Sequence, residues 1–298
     1  MSDTGTVTRQ PESRFREVVR ELLRRPRAAF GLVIISLMVF CAVFAPWLMP
    51  RDPFEQSFDG LDLMGGPLPP GGEYLLGTDL LGRDLASRLI LGTRTSLTIG
   101  VLANGIAVML GAAVGITAGY FGGWTAAVLM RFTDLMMAFP ALLLAIVLAA
   151  IFQPSLLIVA LVIAMVNWVQ MSRVIYTETR SLVERDFIQV QRSIGSGPFR
   201  ILLRHLLPHL LSSIIVFGTL GISTTVLLEA TLSFLGVGVQ PPMPSWGNII
   251  FENQTYFSTA PWLVFFPGVL IVLLALSFNL VGDALRDILD PTLKGRHG

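Results

Sequence analysis

The sequence predicts an all-α polytopic membrane protein with six transmembrane helices and both termini in the cytoplasm. Three observations lead there. The chain has 298 residues, of which 53% are hydrophobic and 14% charged, with mean hydropathy +0.70, a composition suited to a bilayer rather than to water. Uncharged runs long enough to cross roughly 30 Å of hydrocarbon recur along it. Its arginines are gathered into separate blocks, so the net charge of +1 says little by itself.

Taken in order, residues 1–27 form an arm rich in arginine, and Phe15, Val18, Val19, Leu22 and Leu23 make an apolar stripe within it. That pattern suits an amphipathic helix lying along the inner leaflet. The first span is residues 28–49. Its apolar run is longer than that of a signal peptide, and Pro46 directly follows the small-residue site at Val43-Phe44-Ala45, so it reads as an uncleaved helix. An external segment, 50–94, follows. The domain beyond it, 95–283, begins with the second span at 95–119. Residues 135–172 carry no charge but are too many for one helix, and Gln153-Pro154-Ser155 divides them. The third and fourth spans are therefore placed at 131–152 and 155–171, the fifth at 211–235 and the sixth at 262–282. A tail, 284–298, ends the chain.

Arginine bias orients the spans, because cytoplasmic loops retain positive charge. The N-terminal arm holds Arg9, Arg14, Arg16, Arg20, Arg24, Arg25 and Arg27; the loop 173–210 holds Arg173, Arg180, Arg185, Arg192, Arg200 and Arg204; the tail adds Arg286, Lys294 and Arg296. Six spans put all three blocks on one side. On the other side, residues 51–92 contain seven acids against three arginines, and residues 236–260 contain Glu252 with no basic residue.

The loop 173–210 is the most informative stretch. Val183, Phe187, Val190 and Ile194 fall at i, i+4, i+7 and i+11, one face of a helix, with Glu184 and Gln191 beside them. Gly195-Ser196-Gly197 stops that helix, since glycine accepts the left-handed geometry of a helix end. Pro198 suits the first turn of the next. The loop thus reads as a helix-turn-helix whose apolar face lodges in a soluble partner.

Catalytic readings find little support. Lys294 is the single lysine, so no Walker-A loop is present and any ATP-driven motor must be another chain. Cys41 is the single cysteine, which excludes an intrachain disulfide and a thiolate cluster. His205 and His209 have metal-pair spacing, but no glutamate lies between them and Pro208 disrupts their helix. Three polar residues are candidates for a translocation path. Glu229 is deep in an apolar segment without a local cation, Asp134 is either a path residue or the partner of Arg131 one turn away, and Asn167 is either a path residue or a helix–helix hydrogen bond. Gln170 and Asn279 read as helix–helix hydrogen bonds. Gly111, Gly115 and Gly119 recur every four residues, a close helix contact within the bundle in preference to a lipid-facing dimer seam.

Four strings then resemble the C-type permease subunits of bacterial dipeptide, oligopeptide and nickel importers of the ABC class, over about 76–293. They are Gly77-Thr78-Asp79-Leu80-Leu81-Gly82-Arg83-Asp84; Gly119-Tyr120-Phe121-Gly122-Gly123; the run from Leu232 through Gly236, Gly238 and Pro241-Pro242 to Pro244-Ser245-Trp246-Gly247; and the run from Gly282-Asp283-Ala284 to Asp290-Pro291. The resemblance implies a type I ABC importer permease fold. It implies that the loop, through Gly195, Leu207 and Pro208, grips an ATPase, although Gln189, Val190 and Gln191 depart from the family's Glu-Ala-Ala. It further implies a second homologous permease, two ATPase subunits, an external substrate-binding protein and the lipid bilayer as partners, with no nucleic acid. No cofactor is expected in this chain, ATP and magnesium lying on the partner ATPases. Short peptides are the implied cargo, with nickel chelates or oligosaccharides as the alternative. A channel or proton-coupled carrier would call for a relay of deep charges, and a pure scaffold leaves the paired cytoplasmic helices unexplained.

Overall fold

The computed structural model describes residues 14–152 and 155–289. The first arginine of the arm, the Gln153-Pro154 break and the tail beyond residue 289 lie outside them. Helix α1 (Arg14–Arg24) leads into α2 (Pro26–Val43), which is followed by the short α3 (Ala45–Leu48). After the external segment come α4 (Leu85–Phe121), α5 (Gly123–Met137), α6 (Ala141–Ile151) and α7 (Leu156–Val183). The cytoplasmic loop contains α8 (Asp186–Ser193) and α9 (Pro198–Ile201), and α10 (Leu207–Phe234), α11 (Trp246–Asn253) and α12 (Trp262–Leu289) complete the bundle.

Among the described residues, five stretches are long and apolar enough to cross a membrane, and α5 with α6 supplies a sixth crossing if the bent pair is counted as one. That pair corrects the straight third span expected at 131–152. The chain bends by 88° between Met137 and Ala141, where Pro140 lacks the N–H that would continue the helix. Ala145 and Ala149 of α6 then pack with Ile99, Val159 and Leu232, so α6 reaches the external half of the bundle.

Three helices run past their expected limits. Helix α4 begins ten residues before residue 95, α7 continues through Arg173, Glu178 and Arg180 to Val183, and α12 continues through Asp283 and Arg286 to Leu289. Charge ends an apolar run, but it does not end a helix.

The tightest seam joins α4 to α7. A Cβ on Gly111 would lie 2.6 Å from Met171 Cβ, one on Gly115 2.5 Å from the Ser172 carbonyl oxygen, and one on Gly119 2.6 Å from Thr179 Cβ. The glycine stripe is a contact inside the bundle, where close backbone approach drives association in lipid. At the cytoplasmic end, Val18 and Leu22 of α1 pack on Ala284, Leu285 and Ile288 of α12, and Arg25 pairs with Asp287 at 2.7 Å. The N-terminal arm and the end of the sixth span therefore share one side, as arginine bias requires.

Candidate functional site

The external end is closed by charge. Asp79 sits in a turn whose glycines, Gly77 (φ 84°) and Gly82 (φ 69°), adopt the left-handed conformation. Its Oδ1 accepts from the Leu81 and Arg83 amides at 2.9 and 3.0 Å, and its Oδ2 accepts from Arg83 Nε at 2.6 Å. Glu252, at the end of α11, accepts from Arg83 Nη2 and Arg88 Nη2, both at 2.8 Å. Arg88 Nη1 lies 3.3 Å from Asp79, and the Arg88 side chain has no exposed area. Two guanidiniums and two carboxylates thus neutralise one another and tie the turn before α4 to the end of α11. Asp84 caps α4 by accepting from the Ser87 amide at 2.8 Å, and Ser87 Oγ accepts from the Arg51 amide at 3.0 Å. Sequence reading missed this cluster because its members lie 173 positions apart at the extremes, Asp79 to Glu252. The signal was there in part: Glu252 was the only charge of its loop.

Along the membrane region, α10 is held by hydrogen bonds to its neighbours at successive levels. Ser213 donates to Glu178 of α7 at 2.7 Å, and Asn104 of α4 donates to the Gly218 carbonyl at 2.6 Å. Asn279 of α12 donates to Ser223 at 3.1 Å, and Asn167 of α7 donates to Thr225 at 3.0 Å. Higher up, Glu229 accepts from Ser96 of α4 at 3.1 Å and from Ser233 at 2.8 Å, and it is fully buried. Asp134, half exposed, pairs with Arg173 of α7 rather than with Arg131 as the local spacing suggested. A cavity of about 950 Å³ opens at the cytoplasmic side among α1, α7, α10 and α12. Glu178, His209, Ser212 and Arg286 line it; Asp134, Asn167 and Glu229 do not.

The cytoplasmic loop is built differently from the expected single helix. Val183 ends α7 and α8 starts afresh at Asp186, so the i, i+4, i+7, i+11 set spans two helices. Val183 turns inward with Ile188, Ile201, Leu206 and Leu210 into one buried cluster. Val190 and Ile194 are 56% and 68% exposed, and Phe199, which the periodicity did not single out, is 73% exposed. Phe187 is half-buried and stacks on His209 with ring centroids 5.1 Å apart. Glu184 is exposed, and its carbonyl accepts from Gln189 at 3.2 Å.

The glycine stop is as expected. Gly195 has φ 76°, its amide donates to the Arg192 carbonyl at 3.0 Å, and the Ser196 amide donates to the Gln191 carbonyl at 3.0 Å. That is a Schellman closure, reinforced by Ser196 Oγ donating to Gln191 Oε1 at 3.0 Å. Beyond it, Pro208 does not break the chain as anticipated. Residues Leu202–Leu206 form a π-helical turn that absorbs the missing N–H, so the chain stays helical from Pro198 to Phe234. Leu207 is half-buried beside it and Pro208 is exposed.

A bundle of spans around one continuous strut, closed by charge outside and carrying an exposed apolar loop inside, is the build of a transmembrane transport subunit. Residues 111–295 match the family described as binding-protein-dependent transport system inner membrane component, and residues 13–70 match the N-terminal transmembrane domain of oligopeptide transport permease C. The chain belongs to the first of these families, as an inner-membrane permease. It is 40% identical to the dipeptide transport system permease protein DppC of Alkalihalophilus pseudofirmus, over 95% of this chain and 91% of that one. It is likewise 40% identical to the di/tripeptide transport system permease protein DppC of Pseudomonas aeruginosa, over 98% and 96%. It is 39% identical to the glutathione transport system permease protein GsiD of Pectobacterium atrosepticum, over 94% and 92%. Among solved structures, the MetNI methionine ABC transporter in an inward-facing conformation matches with TM-score 0.56 and 18% identity, covering 67% of this chain and 96% of that one. That likeness is one of fold: the shared part is the type I importer permease core.

Proposed function

We propose that this chain is one of two different permease subunits of an ATP-driven importer that takes short peptides from an external binding protein. The observation that carries the reading is the cytoplasmic loop. Val190, Ile194 and Phe199 present an apolar surface around a rigid Schellman turn, while Ile188, Ile201 and Leu206 bolt the same loop to α7 and α10. Exposed apolar side chains in a stretch that also exposes Arg185, Arg192, Arg200 and Arg204 fit a groove on a soluble ATPase. ATP and magnesium belong to two such ATPase chains. When they close, α8 is displaced, and the displacement enters α10 through the continuous helical run that begins with α9 at Pro198. The spans then rock between inward-open and outward-open arrangements.

Peptide cargo is supported by the relatives, whose names specify dipeptides, di- and tripeptides, and glutathione. The test is uptake of labelled di- to pentapeptides in cells lacking this chain, and again after its return. Loss and recovery are expected, with the preferred length ranked by rate. Unchanged uptake, with other peptide systems removed, would overturn the peptide assignment and direct attention to nickel chelates or oligosaccharides.

A further inference from the structure

Glu229 is a buried carboxyl group that neither the ATPase contact nor the cytoplasmic cavity uses. Its surroundings are specific. Ser96 Oγ accepts from the Trp246 amide at 3.4 Å and donates to Glu229 Oε2 at 3.1 Å. Ser233 Oγ accepts from the Val239 amide at 3.1 Å and donates to Glu229 Oε1 at 2.8 Å. Each hydroxyl thus takes one backbone N–H and passes its own proton to one carboxyl oxygen. Two relays of the same form converge on a single side chain, and the hydroxyl of Ser245, which caps α11 by accepting from the Asn248 amide at 3.3 Å, reaches the same group. One begins at the first residue of α11, the other in the turn that follows α10.

Both relays end on elements that also pack directly on α10, the turn through the Gly236 and Val237 amides, which donate to the Ser233 and Leu232 carbonyls at 3.1 and 3.0 Å. Gly247 packs so closely that a Cβ there would lie 2.5 Å from the Ala230 carbonyl oxygen, which lets α11 lie flat on α10. The far end of α11 carries Glu252, bound by Arg83 and Arg88. Trp246 itself has no exposed area and its Nε1 donates to the Leu89 carbonyl at 3.4 Å. The external turn and α11 are therefore held by packing on α10, by the charge cluster at one end and by hydrogen bonds to Glu229 at the other.

We infer that Glu229 is a positioning residue that makes the external turn and α11 follow α10, so that displacement of the cytoplasmic loop reaches the external face. The inference rests on the proposed importer reading for its transport consequence, but its structural part stands apart. A carboxylate suits the place because it accepts at both oxygens and has no proton to donate, and the serine protons need acceptors. Glutamine supplies one acceptor and leaves the other hydroxyl proton facing an amide N–H₂. Leucine supplies none and leaves both relays unterminated in a buried site.

The test uses the complete importer, with its partner permease, ATPases and binding protein, reconstituted in lipid. Amide hydrogen exchange is read across residues 235–250 together with trialanine uptake and ATP hydrolysis. In Glu229→Leu, the Val239 and Trp246 amides are expected to exchange roughly tenfold faster, as for a lost buried hydrogen bond, with α7 unchanged. Uptake per ATP falls by a similar factor, and basal hydrolysis is retained. Glu229→Gln restores part of both.

Ser96→Ala and Ser233→Ala, milder changes that keep the test alive if Glu229→Leu fails to assemble, are expected to free the Trp246 and Val239 amides separately. Equal protection of both amides in all these variants would overturn the inference. So would uptake per ATP that stays at the wild-type value in Glu229→Leu while its amides are freed. Absence of trialanine uptake by the wild-type importer would count against the peptide reading instead, and the exchange pattern would still judge Glu229.

Discussion

The arginines at the two ends of the bundle are treated in opposite ways. Outside, Arg83 and Arg88 are 8% and 0% exposed in their side chains and each meets a carboxylate of its own chain. Inside, Arg185, Arg192, Arg200 and Arg204 are exposed in the same stretch as Val190, Ile194 and Phe199, which have no apolar cover. One end pairs its charges within the chain; the other leaves its charges and apolar side chains open to solvent. The same residue type therefore serves as fold in one place and as recognition surface in the other, and burial distinguishes the two.

That contrast can be broken first on the external side. Arg88→Leu leaves Glu252 and Asp79 with one guanidinium between them, and loss of one partner from a buried ion cluster costs about 3–5 kcal/mol. Thermal unfolding of the purified chain in detergent is expected to show it as the largest loss of any substitution considered. A midpoint within error of the wild type would mean the cluster is not what holds the external segment to α11.

Next in size is the seam between those ends. Gly115→Val forces a side chain against the Ser172 carbonyl and Ile175, and overpacking of this kind costs about 1–3 kcal/mol. The same unfolding assay reads it, and an unchanged midpoint would show that α4 and α7 can separate without loss.

Gly195→Val sharpens the comparison from the cytoplasmic side. Its left-handed backbone costs a branched side chain about 1–2 kcal/mol, yet nothing lies within 4 Å to clash with it. The global fold is expected to survive while peptide uptake is uncoupled from ATP hydrolysis. Full uptake by this variant would remove the turn from the mechanism. Smallest of all is Arg25→Ala, which deletes an exposed pair with Asp287; a change below about 1 kcal/mol in the unfolding assay is expected, and a larger one would assign the arm a structural role.

Much of this arrangement was legible in the sequence, for identifiable reasons. Apolar length located the long membrane helices, and the glycine spacing correctly indicated a helix seam. Gly195 was readable as a stop because a left-handed helix end has few alternatives to glycine. The failures have a common cause in tertiary partners that sequence distance hides. The second span was placed to begin at residue 95, but α4 begins at Leu85 and takes in Arg88, which Asp79 and Glu252 neutralise. Asp134 looked paired to Arg131 within one turn, but Arg173 reaches it from α7. The apolar period from Val183 to Ile194 concealed a restart at Asp186, since Val183 and Ile188 face inward while Val190 and Ile194 face out. Pro208 looked like a break, and a π-helical turn accommodates it.

The most direct test of the account places a thiol at Ile194 in a chain whose Cys41 has been replaced by serine. Inside-out vesicles are treated with a membrane-impermeant thiol reagent, with the ATPase subunits present and after they have been stripped. The account predicts rapid labelling of the stripped chain, because Ile194 is 68% exposed, and strong protection once the ATPases are restored. Equal labelling in both states would contradict it, leaving the apolar loop without the partner that its exposure demands.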